Sequence, residues 1–315
     1  MQKAALFYNP LSGGQARRLR DVDDVLAVLR AAAIEVSAAP TRGHAETGEQ
    51  VRHALAQGCD TVLACGGDGT IHDIAQALVG TNAALGIIPM GTANALAHDL
   101  QVPRSPIAAA QAALAAKPRR IAVGRIEYRD LGGTAAERFF LVTAGIGVDA
   151  KVFSGLDPLA KRRLGMASYY AKATYLWLTD KMETFDVELA PEGTDPRRKF
   201  SDVSQLLAVR IRNFGGVLRE LAPGASLERD DLCVVLFRTR SRTKYLAYIV
   251  RGLLGAKWRI SGVELCNVVG LQCDQATNPQ GSRVFVEADG ELLGTLPARI
   301  SIVPNALNLL IAGTK

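Results

Sequence analysis

Aromatic residues are scarce in this 315-residue chain, at 6%, which argues against a protein that stacks single-stranded bases on rings. No stretch approaches the ~18 uninterrupted apolar residues of a membrane-spanning helix. The five cysteines, Cys59, Cys65, Cys233, Cys266 and Cys273, are odd in number and lack CxxC spacing. Neither a disulfide framework nor a zinc site is expected, and a reducing compartment fits. His44, His53, His72 and His98 show no metal-ligand spacing; surface or capping roles are expected. Met1-Gln2-Lys3 runs straight into a strand-like segment with no signal-peptide pattern, so the expectation is a cytoplasmic protein. With 48% hydrophobic and 22% charged residues the composition is that of a globular protein. A net charge of +6 permits attraction to anionic lipid or nucleic acid without choosing between them.

What is present centres on Cys65-Gly66-Gly67-Asp68-Gly69-Thr70. The apolar run Thr61-Val62-Leu63-Ala64 suits a buried strand, and Ile71, Ile74 and Leu78 recur at helical spacing after the turn. Three glycines let the backbone approach a phosphate, and the helix start offers N–H groups to it. Asp68 would repel that phosphate unless a cation lay between them, so the turn points to a metal-bound nucleotide. A structural reading of the same residues makes Thr70 the helix N-cap and Asp73 the end of a capping box. The turn is neither a Walker A loop nor a GxGxxG motif.

Strand, loop and helix alternate through the first hundred residues. Ala4–Tyr8, Ile34–Val36, Thr61–Ala64 and Leu85–Ile88 read as strands. Between them lie helical segments, one with Leu19, Val22, Leu26 and Leu29 on one face and another over 45–57. That rhythm predicts a parallel sheet flanked by helices, with ligands beyond the carboxyl ends of the strands. Glycine-bearing loops at 9–14, 66–70 and 89–94 all fall at such ends. After about Arg119 the texture becomes β-rich, with a polar loop from Pro191 to Lys199 and helical insertions near 161–182 and 242–254. The expected domains are an α/β domain over 1–119 and an all-β sandwich over 120–303, with 304–315 packing back on the first.

Taken together, the loops carry a resemblance. Asn9-Pro10-Leu11-Ser12-Gly13, Gly66-Gly67-Asp68-Gly69-Thr70 and Pro89-Met90-Gly91-Thr92-Ala93-Asn94 occur in the order found in the diacylglycerol kinase catalytic-domain family. That family includes bacterial soluble lipid kinases, sphingosine kinases and ceramide kinases. Ala144 to Ala150, Arg212 through Asp231-Leu232, and Asp289-Gly290-Glu291 resemble its later segments, so the likeness spans nearly the whole chain. It implies a two-domain, NAD kinase/diacylglycerol kinase-like enzyme with its active site in the interdomain cleft. It also implies an ATP- and Mg²⁺-dependent lipid kinase acting on a hydroxyl of diacylglycerol, a sphingoid base or a related lipid. By family pattern Asn9, Ser12, Gly13, Thr41, Gly66, Gly67, Gly69, Thr70, Thr92 and Asn94 bind the nucleotide. Asp68 holds the catalytic Mg²⁺, and Glu291 is the general base. The carbonyls of Leu227 and Leu232 and the side chain of Asp230 match the positions of a structural Mg²⁺ in some bacterial members.

Two positions depart from the pattern. Ala95 stands where the family often has Asp, as it also does in sphingosine kinases. Asp231 stands where Gly usually follows the acid, which puts the structural metal in question. A lipid substrate must be met at a bilayer, and peripheral association with an anionic membrane surface is the partner expected, with no nucleic acid. Two stretches mix basic and aromatic residues in the required way, Lys161 to Trp177 and Arg238 to Trp258. Each reads equally well as a core-packing amphipathic helix. A homodimer is left open. The competing readings are an NAD kinase-like enzyme, which shares the Gly-Gly-Asp turn, and a catalytically silent lipid- or nucleotide-binding regulator.

Overall fold

The computed structural model describes residues 1–10, 15–153, 182–190, 196–215, 221–256, 258–275 and 283–311. The chain divides into two compact units, Met1–Ala122 with Pro304–Lys315, and Val123–Val303.

The first unit alternates as the sequence pattern predicts. Its elements are β1 (Lys3–Tyr8), α1 (Gln15–Ala31), β2 (Glu35–Pro40), α2 (His44–Ala56), β3 (Thr61–Gly66), α3 (Asp68–Leu78), β4 (Ala84–Pro89), α4 (Ala95–Asp99) and α5 (Pro106–Ala115). The strands are parallel, in the order β2-β1-β3-β4. β3 and β4 are buried at every position, the continuous apolar pattern of a strand covered on both faces. Leu6, Leu63 and Ile88 meet Val25 and Leu29 of α1 and the alanines Ala109, Ala110 and Ala113 of α5 in one core. Small residues on α5 let that helix lie close to the sheet.

The second unit is β-rich. It contains β5 (Lys117–Asp130, which begins in the first unit), β6 (Ala135–Phe140), β7 (Thr143–Gly147), α6 (Val148–Phe153), β8 (Phe185–Ala190), β9 (Arg198–Val203) and β10 (Gln205–Val209). These are followed by β11 (Leu232–Phe237), α7 (Arg242–Leu254), β12 (Val263–Val268), β13 (Gly270–Gln275), β14 (Phe285–Ala288) and β15 (Glu291–Ile311). One antiparallel run is β12-β11-β10-β7-β14-β15, and a second is β9-β8-β13-β15. Phe140, Ile146, Phe185, Leu206, Val234, Leu271 and Val286 share one core, which is the sandwich. β15 is long enough to serve both units. Its early residues pair with β14, while Asn308 and Leu309 pair in parallel with Ala84 and Leu85 of β4.

The polar loop expected over 191–199 is shorter than predicted. Arg198 and Lys199 belong to β9, where Lys199 faces Glu188 across the strand pair. Glu188 accepts ion pairs from Arg197 at 2.9 Å and Lys199 at 3.1 Å, so charges that read as loop are a cross-strand ladder. The predicted helix near 242–254 is α7; the one near 161–182 lies outside the described residues, apart from Met182. All five cysteines are free thiols. Among the described residues no helix is long and apolar enough to cross a membrane.

Candidate active site

In the first unit the sheet register decides which loops share an edge. Tyr8 pairs with both Pro40 and Cys65, and Gly66 pairs with Pro89. All four strands therefore end level at their carboxyl side, where an open α/β sheet takes its ligand. This brings together Asn9, Thr41, Gly66 to Thr70 and Thr92 to Asn94. Thr41 donates its N–H to the Tyr8 carbonyl at 2.8 Å, tying the ends of β2 and β1. Ser12 and Gly13 lie outside the described residues.

The turn after β3 and the loop after β4 are locked together. Asp68 Oδ2 accepts the Asn94 N–H and Oδ1 accepts the Ala95 N–H, both at 2.8 Å. Met90 donates its N–H to the Gly66 carbonyl at 2.8 Å. Asn94, at φ 52, accepts the Gly91 N–H at 2.9 Å and donates Nδ2–H to the Gly91 carbonyl at 2.8 Å. Gly67 and Gly91 touch backbone to backbone: a Cβ on Gly91 would stand 2.5 Å from the Gly67 Cα. These glycines are demanded by close approach between loops. Ala95 supplies only a backbone N–H to Asp68, a bond open to any residue but proline. The departure from the family pattern at this position leaves the lock intact.

The capping expectation is corrected. α3 begins at Asp68 with Gly67 as N-cap and no side-chain cap bond, so Thr70 lies inside the helix and no capping box forms with Asp73. Asp73 Oδ1 instead lies 2.6 Å from His44 Nδ1, linking the start of α2 to the middle of α3. An early helix start puts the Asp68 carboxylate in the first turn, where the helix dipole favours an anion. It also places the first-turn N–H groups beside the glycine lock. Asp68 is thus a fixed anionic oxygen pair, the donor type that a hard divalent cation takes.

In the second unit Asp289-Gly290 forms the two-residue connection of β14 and β15, with φ 48 and φ 80. Both positive values suit a type I′ hairpin. Asp289 does more than turn the chain. Its Oδ1 accepts the N–H groups of Val142 at 2.8 Å and Thr143 at 2.9 Å, and its Oδ2 accepts that of Leu141 at 2.8 Å. Glu291 follows the pinned turn, and Arg138 Nη2 holds its Oε2 at 2.7 Å. The two side chains are 23% and 21% exposed, so the carboxylate is oriented yet reachable. Arg138 was not singled out in the sequence; an arginine directly before the apolar run 139–143 was the available signal.

Glu287, also missed, is fully buried beside this turn and accepts the Gly290 N–H at 3.0 Å. A Cβ on Gly145 would stand 2.6 Å from Glu287 Oε1 and 3.0 Å from Asp149 Oδ2, so that glycine makes room for two acids. Burial pushes the Glu287 carboxyl well above its usual range, helped by the charges of Asp149 and Asp289 and opposed by the Gly290 N–H. The folded state therefore keeps a proton that the unfolded chain releases near pH 4–5. Stability from this proton is complete below that range and is lost as pH rises through the higher folded value. Glu287→Gln, which copies the protonated acid, will flatten that loss. Thermal melts of both proteins between about pH 5 and about pH 9 will show the gap between them widening in favour of the variant as pH rises.

The segment expected to hold a structural metal holds an arginine. Arg210 is 0% exposed, and its guanidinium donates to the carbonyls of Arg229 at 2.8 Å, Asp231 at 2.5 Å and Leu227 at 3.4 Å. Burial lowers its pKa to about 10, against the opposing pull of Asp231 and Asp230, so it is charged at neutral pH. Asp231 is buried, ion-paired with Arg229 and bonded by Asn267 Nδ2 at 2.8 Å. The Asp230 side chain belongs to an exposed residue. A divalent ion on the Leu227 carbonyl would face a fixed cation already bonded there. Leu227, Asp230 and Leu232 do not fit a metal in this chain.

Comparison with known proteins agrees with this architecture. The diacylglycerol kinase catalytic domain matches residues 3–126, and the YegS C-terminal NAD kinase beta sandwich-like domain matches residues 142–311. A diacylglycerol kinase of Mycobacterium tuberculosis is 28% identical over 311 residues, covering 98% of this chain and 94% of its own. One from Bacillus subtilis is 24% identical over 300 residues, covering 94% and 92%. In three dimensions a diacylglycerol kinase from Bacillus anthracis superposes with a TM-score of 0.69 at 18% identity, covering 98% of this chain and 97% of that one. Yeast NADH kinase shares the fold more distantly, with a TM-score of 0.51 at 9% identity, covering 100% and 84%. The two matched domains, in this order and over nearly the full length, mean that the chain belongs to the diacylglycerol kinase catalytic-domain family, a family of lipid kinases.

Proposed function

We propose that this protein transfers the γ-phosphoryl group of ATP to a hydroxyl of diacylglycerol, a sphingoid base or a related lipid, working peripherally at an anionic membrane surface. The observation that carries the reading is the Asp68 lock. It joins two glycine loops into one rim at the carboxyl edge of a parallel sheet, with a helix start in that rim to receive phosphate. Asn9, Thr41, Gly66, Gly67, Gly69, Thr70, Thr92 and Asn94 cradle the nucleotide, with Ser12 and Gly13 from the opening loop. Asp68 would hold Mg²⁺, which when bound neutralises charge on the phosphoryl oxygens. Glu291 takes the proton of the lipid hydroxyl as its oxygen attacks the γ-phosphorus, and the bond to the bridging oxygen of ADP breaks. Arg138 keeps the accepting carboxylate oriented.

The fold shared with NADH kinase makes NAD the acceptor to exclude. Transfer of ³²P from γ-labelled ATP to a lipid panel and, separately, to NAD decides the matter. Labelled lipid and no labelled dinucleotide are expected, and Asp68→Ala will label lipid about 10²–10³-fold more slowly. Phosphorylated NAD in the absence of lipid would reverse the reading. Calorimetric ATP binding with no product on any acceptor would make the protein a silent regulator.

A further inference from the structure

Helix α7 is apolar on two opposite faces, and among the described residues only one of them packs into the protein. On the inner face Tyr245 and Tyr248 are buried and pack on Phe237, stacked at 4.4 Å and edge-on at 5.0 Å. Tyr245 shares a 2.8 Å hydrogen bond with the Ser204 hydroxyl, and Arg251 lies 4.4 Å over the Tyr248 ring. That face accounts for the helix's place in the fold.

The outer face has no such explanation. Leu246, Ile249, Val250, Leu253 and Leu254 follow at i, i+3, i+4, i+7 and i+8, a single helical stripe. They are 48%, 42%, 37%, 43% and 68% exposed, and Trp258, just past the left-handed cap at Gly255, is 46% exposed. Scattered exposed leucines are ordinary, but a contiguous apolar stripe marks a surface that something covers.

Charge identifies the occupant. From Leu232 to Val263 there is no acidic residue and there are seven basic ones, Arg238, Arg240, Arg242, Lys244, Arg251, Lys257 and Arg259. Arg240, Arg242 and Arg259 are exposed, and Arg242 stands on the apolar stripe itself, four residues before Leu246. A second copy of the same face would set cation against cation. A bilayer of anionic lipid offers acyl chains for the stripe and phosphates for the arginines, with the tryptophan at the level of the headgroups.

We propose that α7 is the membrane-docking surface of this protein, with Leu246, Ile249, Val250, Leu253 and Leu254 seated below the headgroups and Arg240, Arg242 and Arg259 on anionic lipid phosphates. The choice of a bilayer as occupant rests on the lipid-kinase reading, whereas the stripe and its charge do not. Co-sedimentation with vesicles of phosphatidylglycerol and phosphatidylcholine, without ATP or acceptor, tests it. Wild type will pellet with these vesicles and far less with pure phosphatidylcholine. Leu246→Glu/Leu253→Glu will lose about tenfold or more of that partitioning while keeping its melting temperature. Its turnover on short-chain diacylglycerol dissolved as monomer will match wild type. The proposal is overturned if wild type ignores anionic vesicles or if the double variant pellets equally well. It is overturned too if ultracentrifugation finds a wild-type dimer that the variant dissolves, since a second copy then covers the stripe. Vesicle binding as expected, with no phosphorylated lipid from either protein, would uphold docking and sink the kinase reading instead.

Discussion

Glu291→Gln will lower kcat by about 10²–10⁴-fold and leave the KM for ATP within about twofold. An alcohol is a poor nucleophile until its proton leaves, and a carboxylate in reach of that proton supplies the missing base. Glutamine keeps the size of the side chain and an oxygen for the Arg138 Nη2–H that now donates to Glu291 at 2.7 Å. The pinning of the turn through Asp289 is untouched, so a fall in rate will report lost proton transfer and not a displaced loop. Single-turnover phosphorylation of a lipid acceptor is the measurement. A variant that retains wild-type turnover would remove Glu291 from the chemistry.

Arg210→Met will destabilise the second unit by about 3–5 kcal/mol. Methionine nearly fills the volume but leaves the Arg229 and Asp231 carbonyls without the donor they now have. Each stranded acceptor costs about 1–3 kcal/mol. Urea melts monitored by the near-ultraviolet signal will read the loss. The wild-type melt, by contrast, will be the same in Mg²⁺ and in excess chelator, because the cation of this segment is a side chain. A wild-type melt several degrees lower in chelator would show that the segment depends on a metal after all.

The alternation of the first unit was legible because β1, β3 and β4 are short apolar runs and the loops after them carry glycine beside a polar side chain. The glycine and polar content of the three loops carried the expectation of a phosphate site. What stayed hidden was how they lock. Nothing in the spacing of Asp68 and Asn94 says that a carboxylate will accept the N–H groups of a loop 26 residues away. Thr70 matched the usual N-cap preference, yet the cap falls three residues earlier, at Gly67, whose backbone, close against Gly91, needs no side chain to begin the helix. In the second unit the β-rich texture predicted the sandwich but not the acids among its strands. β14 lies between β7 and β15 with nearly every position buried, so alternation cannot tell Glu287 from a surface residue. Arg210 escaped for the same reason, standing directly after a five-residue strand that is buried throughout.

The pairing of Asn308 with Ala84 has a consequence for the order in which the protein can form. The last strand of the first unit's parallel sheet is translated only after every residue of the second unit. On the ribosome, β4 must wait with an open edge while the sandwich is made, a geometry that invites mispairing. The β15 residues that close this edge also carry the chain out of the sandwich, so the arrival of one strand completes both hydrogen-bonding networks. Pulse-labelled chains should therefore gain protease resistance in the first unit late, after Asn308 and Leu309 have left the ribosome.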